Sequence, residues 1–175
     1  MKPTLFKVSR CLLCILFFAF PVMAFANDGQ DSRAQESLSP CSYEQFNITF
    51  LCDPKWPVHE EDGIAVYTIA VSPGVSLSIT RVSDELKYLE QVNKEDLALT
   101  DQYADGFVLQ DVMLKDKKAK MVMGFSKADP DVRYLDYYLL NNGTLYSVLF
   151  AVGPKEEWDS YKFLIKTIAE SIDFN

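Results

Sequence analysis

Histidine is almost absent from this sequence: His59 stands alone among 175 residues. A serine or cysteine hydrolase built on an imidazole base would have to use it. His59 lies in a proline-flanked stretch followed by Glu60, Glu61 and Asp62, and no G-x-S-x-G elbow occurs. It therefore reads as an exposed loop histidine, and no catalytic residue is assigned. Zinc fails on the same scarcity, because one histidine and two cysteines expected to be bonded do not supply tetrahedral nitrogen and sulfur ligands. Gly-rich phosphate loops are missing as well, so neither a metal nor a cofactor is expected. Positive charge is short too, with 17 basic against 25 acidic residues. Such a surface repels phosphate backbones and anionic lipid, which excludes nucleic acid as a partner class. The one basic cluster, Lys115-Asp116-Lys117-Lys118, has no interleaved aromatics and reads as a solvated hairpin tip.

Long apolar runs are confined to the N-terminus. Lys2, Lys7 and Arg10 form a basic region without acids, Cys11 to Met23 is apolar, and Ala24-Phe25-Ala26 offers small residues at the peptidase positions. This is the pattern of a cleavable signal peptide over residues 1–26. Pro21 interrupts a run already shorter than the roughly 20 residues that span a bilayer. Leu13 before Cys14 argues against lipid attachment. Cleavage near Ala26 removes three basic residues and no acid, which takes the net charge from −8 to −11. No stable membrane insertion is expected afterwards, and the expected location is periplasmic or secreted.

The same cleavage removes Cys11 and Cys14 and leaves Cys41 and Cys52. Two cysteines in an oxidising compartment usually pair. A straight strand between them would hold them roughly 36 Å apart, whereas a disulfide needs Cα atoms within about 7 Å. An intramolecular bond therefore requires the chain to double back near Glu44-Gln45. Two free thiols or an intermolecular bridge are the alternatives.

Residues 27–40 are polar, without apolar period, and read as a flexible leader to a single domain over 41–175. Phe46, Ile48 and Phe50 alternate with polar residues as one strand, which Pro54-Lys55-Trp56-Pro57 stops. Ile64 to Val71 and Val75 to Val82 form a hairpin about Ser72-Pro73-Gly74. Ser83 then caps a helix through Leu86, Leu89 and Val92, which resumes over Leu97 to Tyr103 and ends at Gly106. Two further hairpins follow. Phe107 to Leu114 turns at the lysine-rich tip into Ala119 to Ser126, and Val132 to Leu140 turns at Asn142-Gly143 into Thr144 to Val152. The last pair is apolar on both faces, so both strands belong in the middle of a covered sheet. After Pro154, Trp158, Tyr161, Ile165, Ile168 and Ile172 recur at helical spacing.

Glu60-Glu61-Asp62 and Asp129-Pro130-Asp131 offer oxygens for calcium, but neither has EF-hand spacing. Both read as solvated turns. Trp56, Tyr134, Tyr138 and Tyr146 could line a pocket, although their strand alternation favours core packing. Carboxylate-pair hydrolysis remains a competing class, since sequence spacing does not show which acids face one another.

The order of these elements resembles the PsbP-like superfamily. The resemblance rests on Phe50, Pro54 and Trp56, the hairpin from Ile64 to Val82, the paired hairpins with NNGTLYSVLFAV, and the closing helix from Trp158 to Phe174. The superfamily is named for an extrinsic protein of photosystem II, and its fold group extends to a yeast Ran-release factor and bacterial envelope lipoproteins. The resemblance implies an α+β fold: a three-layer α/β/α sandwich around a largely antiparallel sheet. It also implies a non-enzymatic binding or accessory role. No metal-binding histidines of the photosynthetic members map onto this chain. The expected partner is an unknown protein or envelope component, with Trp56 and His59 as candidate contacts. An extracytoplasmic hydrolase using carboxylates and His59, and a secreted effector or inhibitor of a foreign protein, are the alternatives.

Overall fold

The computed structural model describes residues 37–61, 64–70, 74–83 and 88–174. The signal segment 1–26, the leader as far as residue 36, the Ser72-Pro73 turn, Asp62 and the helix start at Asp84 to Leu86 lie outside them. No described helix is long and apolar enough to cross a membrane.

Among the described residues ten strands build two sheets. β1 (Ser39–Tyr43), β2 (Ile48–Cys52) and the short β10 (Asp173–Phe174) form a three-stranded sheet in the order β1-β2-β10. The larger sheet uses β3 (Val58–Glu61), β4 (Ile64–Ala70), β5 (Gly74–Ser83), β6 (Val108–Leu114), β7 (Lys117–Phe125), β8 (Arg133–Asn141) and β9 (Thr144–Gly153). Its order is β3-β4-β5-β9-β8-β7-β6, and each of its ladders is antiparallel. Two α-helices, α1 (Lys94–Ala98) and α2 (Trp158–Ser171), and three 3-10 turns complete the described elements.

β9 occupies the middle of the seven strands with β8 beside it, as their two-sided apolar pattern requires. On one face Leu135, Tyr137, Leu139, Val148 and Phe150 join the main core. α2 and the small sheet cover that face. Ile165 and Ile168 of α2 are fully buried, and burying each side chain contributes about 1.5–3 kcal/mol. The helix is also tied to the small sheet, where Leu51 N–H donates to Ser171 Oγ at 2.8 Å. On the opposite face Tyr134, Tyr138 and Leu145 meet Val92, Leu97, Tyr103 and Phe107. The architecture is thus α+β with three layers, and the second outer layer is an irregular segment with a five-residue helix.

Two glycines serve specific geometry. Gly143 (φ 81°) follows Asn142 (φ 49°) in the β8–β9 turn, where both central residues of a tight hairpin need positive φ. Gly124 lies under Phe107: a Cβ there would come within 2.9 Å of the Phe107 Cβ, so only glycine lets the covering segment settle.

Several expectations are corrected. The stretch read as a Pro-flanked loop around His59 is strand β3, paired with β4 with His59 opposite Val66. Ser83 is the last residue of β5, opposite Leu145, and the helix start expected just after it lies outside the described residues. From residue 88 onward the helix expected through Tyr103 is a 3-10 turn (Leu89–Gln91) and α1, and Tyr103 itself bridges to Ser126. Strand β1 begins at Ser39, within the expected leader. Phe46 sits in a 3-10 turn and not in a strand. That turn, with Asn47 at φ 52°, folds β1 back on β2 at the expected place. Cys41 lies opposite Phe50 while Cys52 lies opposite Ser39, and the diagonal pair forms a disulfide with its Cα atoms 5.8 Å apart.

The bridge should stabilise the domain chiefly by restricting its unfolded chain. Cys41→Ser with Cys52→Ser should lose about 2–4 kcal/mol in urea denaturation. A reductant should cause a similar loss in the parent and none in the double variant.

Candidate functional site

The strand 133–141 places one acid, Asp136, within an otherwise apolar run. Alternation turns Asp136 to the same face as Tyr134 and Tyr138, between Val122 of β7 and Leu149 of β9. Its side chain is fully buried. A buried carboxylate without partners is strongly destabilising, and here both oxygens are used. Ser147 Oγ donates to Oδ1 at 2.7 Å, and the Tyr103 hydroxyl donates to Oδ2 at 2.5 Å. Gln102 Nε2 reaches Oδ2 at 3.5 Å. The Tyr103 proton being committed to Asp136, the Tyr138 hydroxyl donates to the Tyr103 oxygen at 2.8 Å.

Backbone bonds aim Tyr103 at this acid. Ala104 N–H donates to Phe125 O, and Lys127 N–H donates to Gln102 O. Burial raises the Asp136 pKa above the usual carboxylate value, and its hydrogen bonds oppose that rise. Burial and then the Asp136 carboxylate push Tyr103 and Tyr138 well above the usual phenol value, so both remain protonated donors at neutral pH. Tyr103, Tyr138 and Ser147 are all buried. The cluster therefore lacks the exposure that acid–base chemistry on a substrate needs, and its chemical role is to fasten the covering segment to the sheet.

The residues singled out from sequence lie apart from it. Trp56 is half-buried and packs on the main core, held in a turn where Trp56 N–H donates to Asp53 O at 2.9 Å. His59 is exposed on the edge strand β3 and alternates to the other face of the sheet. They do not form one patch. Tyr134 and Tyr138 belong to the second core and Tyr146 to the main core, so these aromatics pack and line no pocket. Asp129 and Asp131 shape a turn: Asp131 N–H donates to Asp129 Oδ1, and Lys155 pairs with Asp131 at 3.3 Å. Among the described residues no three His, Cys, Asp or Glu side chains come together as a metal-binding group. An open depression of about 450 Å³ is lined by Tyr88, Lys117, Lys118, Asn141, Asp173 and Phe174. Lys117 there is held by Asp173 at 3.0 Å.

No family model and no curated protein matches the sequence. Among solved structures the chain is similar to cyanobacterial PsbP (CyanoP) from Synechocystis sp. PCC 6803. The identity is 16% and the TM-score 0.53, over 89% of this chain and 100% of that one. The fold is PsbP-like. It is also similar to the Ran-binding protein Mog1p of Saccharomyces cerevisiae, with 14% identity and a TM-score of 0.50, over 78% of this chain and 95% of that one. The resemblance read from the order of elements thus holds for the PsbP-like fold. Sequence reasoning passed over the Asp136 cluster, although a lone acid inside a two-sided apolar strand of that fold was a usable signal.

Asp136 holds its proton more tightly folded than unfolded. Between the ordinary value of 3.8 and the raised folded value the native state carries the extra proton, so this group's contribution to stability falls as pH rises through that window. Asp136→Asn does not titrate. In urea denaturation its stability relative to the parent should improve as pH rises from the carboxylate range, and a pH-independent difference would contradict the assignment. Tyr103→Phe should cost about 1–3 kcal/mol. Tyr134→Phe should cost less, because its hydroxyl has no hydrogen bond among the described residues.

Proposed function

We propose that this chain is an exported, non-enzymatic binding or accessory protein working in the periplasm or outside the cell. The observation that carries the reading is the burial of its richest polar cluster. Asp136, Tyr103, Tyr138 and Ser147 are sealed between sheet and covering segment, so the surfaces left for function are strand edges, turns and rims. Export is supported by the signal-peptide pattern of residues 1–26 and by the Cys41–Cys52 bridge, since disulfides persist in oxidising compartments. A binding role also agrees with the fold, which Mog1p uses as a Ran-binding protein. Trp56 and His59 are candidate contacts on separate sides of β3.

Crosslinking in the native envelope, followed by identification of the captured protein, tests the reading. A specific partner is expected, on a chain whose N-terminus begins near Asn27. Recovery of nothing above background would remove the main support. Hydrolysis of an ester, glycoside or peptide abolished by His59→Ala, or by one carboxylate change, would replace the reading with an enzyme. Recovery in the culture supernatant and not in the periplasm would favour a secreted effector or inhibitor.

A further inference from the structure

The two edges of the large sheet differ. β3 has four residues, follows Pro57 and carries an exposed Glu60, with Glu61 next in its sequence. Short length, a nearby proline and charge are the usual protections of an edge. β6 has seven residues, VLQDVML, with no proline, no lysine and a single charge, Asp111, against the two acids in the four residues of β3. Its register with β7 runs without a bulge from Val108 opposite Met123 to Leu114 opposite Lys117. Val108 is 46% and Met113 57% exposed. Apart from its ladder with β7, β6 makes no backbone hydrogen bond to another described residue. Its outer edge is an open template for one more strand.

Charge selects the occupant. Asp111, the middle residue of β6, has a side chain 81% exposed and pairs with Lys120 at 2.8 Å. If a second copy paired with β6 along its full length, Asp111 would face Asp111, and like charges directly opposite destabilise a pair. The chain also carries a net charge of −8. A strand that sets a lysine or arginine against Asp111 has the opposite preference. Val108, Val112 and Leu114 share the main-core face, while Leu109, Asp111 and Met113 share the other. The fitting side chains are therefore β-branched residues alternating about a central basic one.

We propose that β6 is a docking edge that accepts an extended segment of a partner protein by β-strand addition, with a basic residue opposite Asp111. This deepens, and rests on, the binding reading above. The test uses a blocked peptide, Val-Thr-Val-Lys-Val-Thr-Val, and its counterpart with glutamate at the centre, added to the full exported chain. Amide hydrogen exchange should show protection at 108–114 and not at 58–61, with affinity about tenfold weaker for the glutamate peptide. Met113→Lys and Val108→Lys, both at exposed positions, should weaken binding by about tenfold. Asp111→Lys should reverse the preference between the two peptides.

Absent protection at 108–114, or protection only at 58–61, overturns the proposal. Concentration-dependent protection of 108–114 without peptide, accompanied by dimers in sedimentation, overturns it in favour of a second copy. The binding reading fails separately. A captured partner whose crosslinks avoid 108–114 would sink the edge and leave the reading standing. Peptide protection of β6 with no partner captured would do the reverse.

Discussion

Burial of β8 and β9 on both faces is the constraint on which the rest of this structure depends. Tyr137, Val148 and Phe150 demand an apolar layer on one side, and Tyr138 and Leu145 demand another on the opposite side. The first demand is met with regular elements. α2 lays Tyr161, Leu164, Ile165 and Ile168 across the sheet, and the small sheet adds Ile48 and Phe50. The second is met by a segment with little regular structure, whose helix of five residues is far too short to be stable alone. Tertiary contacts hold it in place.

Asp136 supplies the directional part of that hold. Apolar packing of Val92, Leu97 and Phe107 sets proximity without fixing orientation, because the hydrophobic effect is non-directional. The Tyr103–Asp136–Ser147 chain fixes which residue of the segment meets which position of the sheet. A carboxylate in this setting is tolerated only while its donors remain, since an uncompensated buried charge costs several kcal/mol. A PsbP-like sandwich with closed faces exposes its two sheet edges, its hairpin tips and the rim near Trp56, and these differ in how well they are guarded.

At the N-terminal side, the disulfide answers a related problem. β1 and β2 are five-residue strands, and β10 adds two residues. Such a small sheet has limited hydrogen bonding of its own. The Cys41–Cys52 bridge, the Leu51–Ser171 bond and the burial of Ile48 and Phe50 together lock it over α2.

Much of this was legible in the sequence, where the determinants are local. Asn142-Gly143 marks the β8–β9 turn, the apolar stripe from Tyr161 to Ile172 marks α2, and two-sided apolar runs mark the centre of the sheet. An intramolecular bond between Cys41 and Cys52 calls for a reversal near Glu44-Gln45, and the 3-10 turn Glu44–Phe46 lies there. What the sequence hid depends on partners distant along the chain. Val58–Glu61 looks like a loop because its strand character comes from pairing with β4, and strand preference reflects neighbours more than residue type. Ser83 carries no strand signal of its own, and only its pairing with Leu145 shows that β5 runs to it. Asp136 looks like an interruption in an apolar strand until Tyr103, 33 residues earlier, closes over it. Local periodicity and turn chemistry by themselves determined the hairpins, the final helix and the central strands. Only the tertiary structure decided which edge is open and which acid is sealed, because both depend on desolvation and hydrogen bonding between segments far apart in sequence.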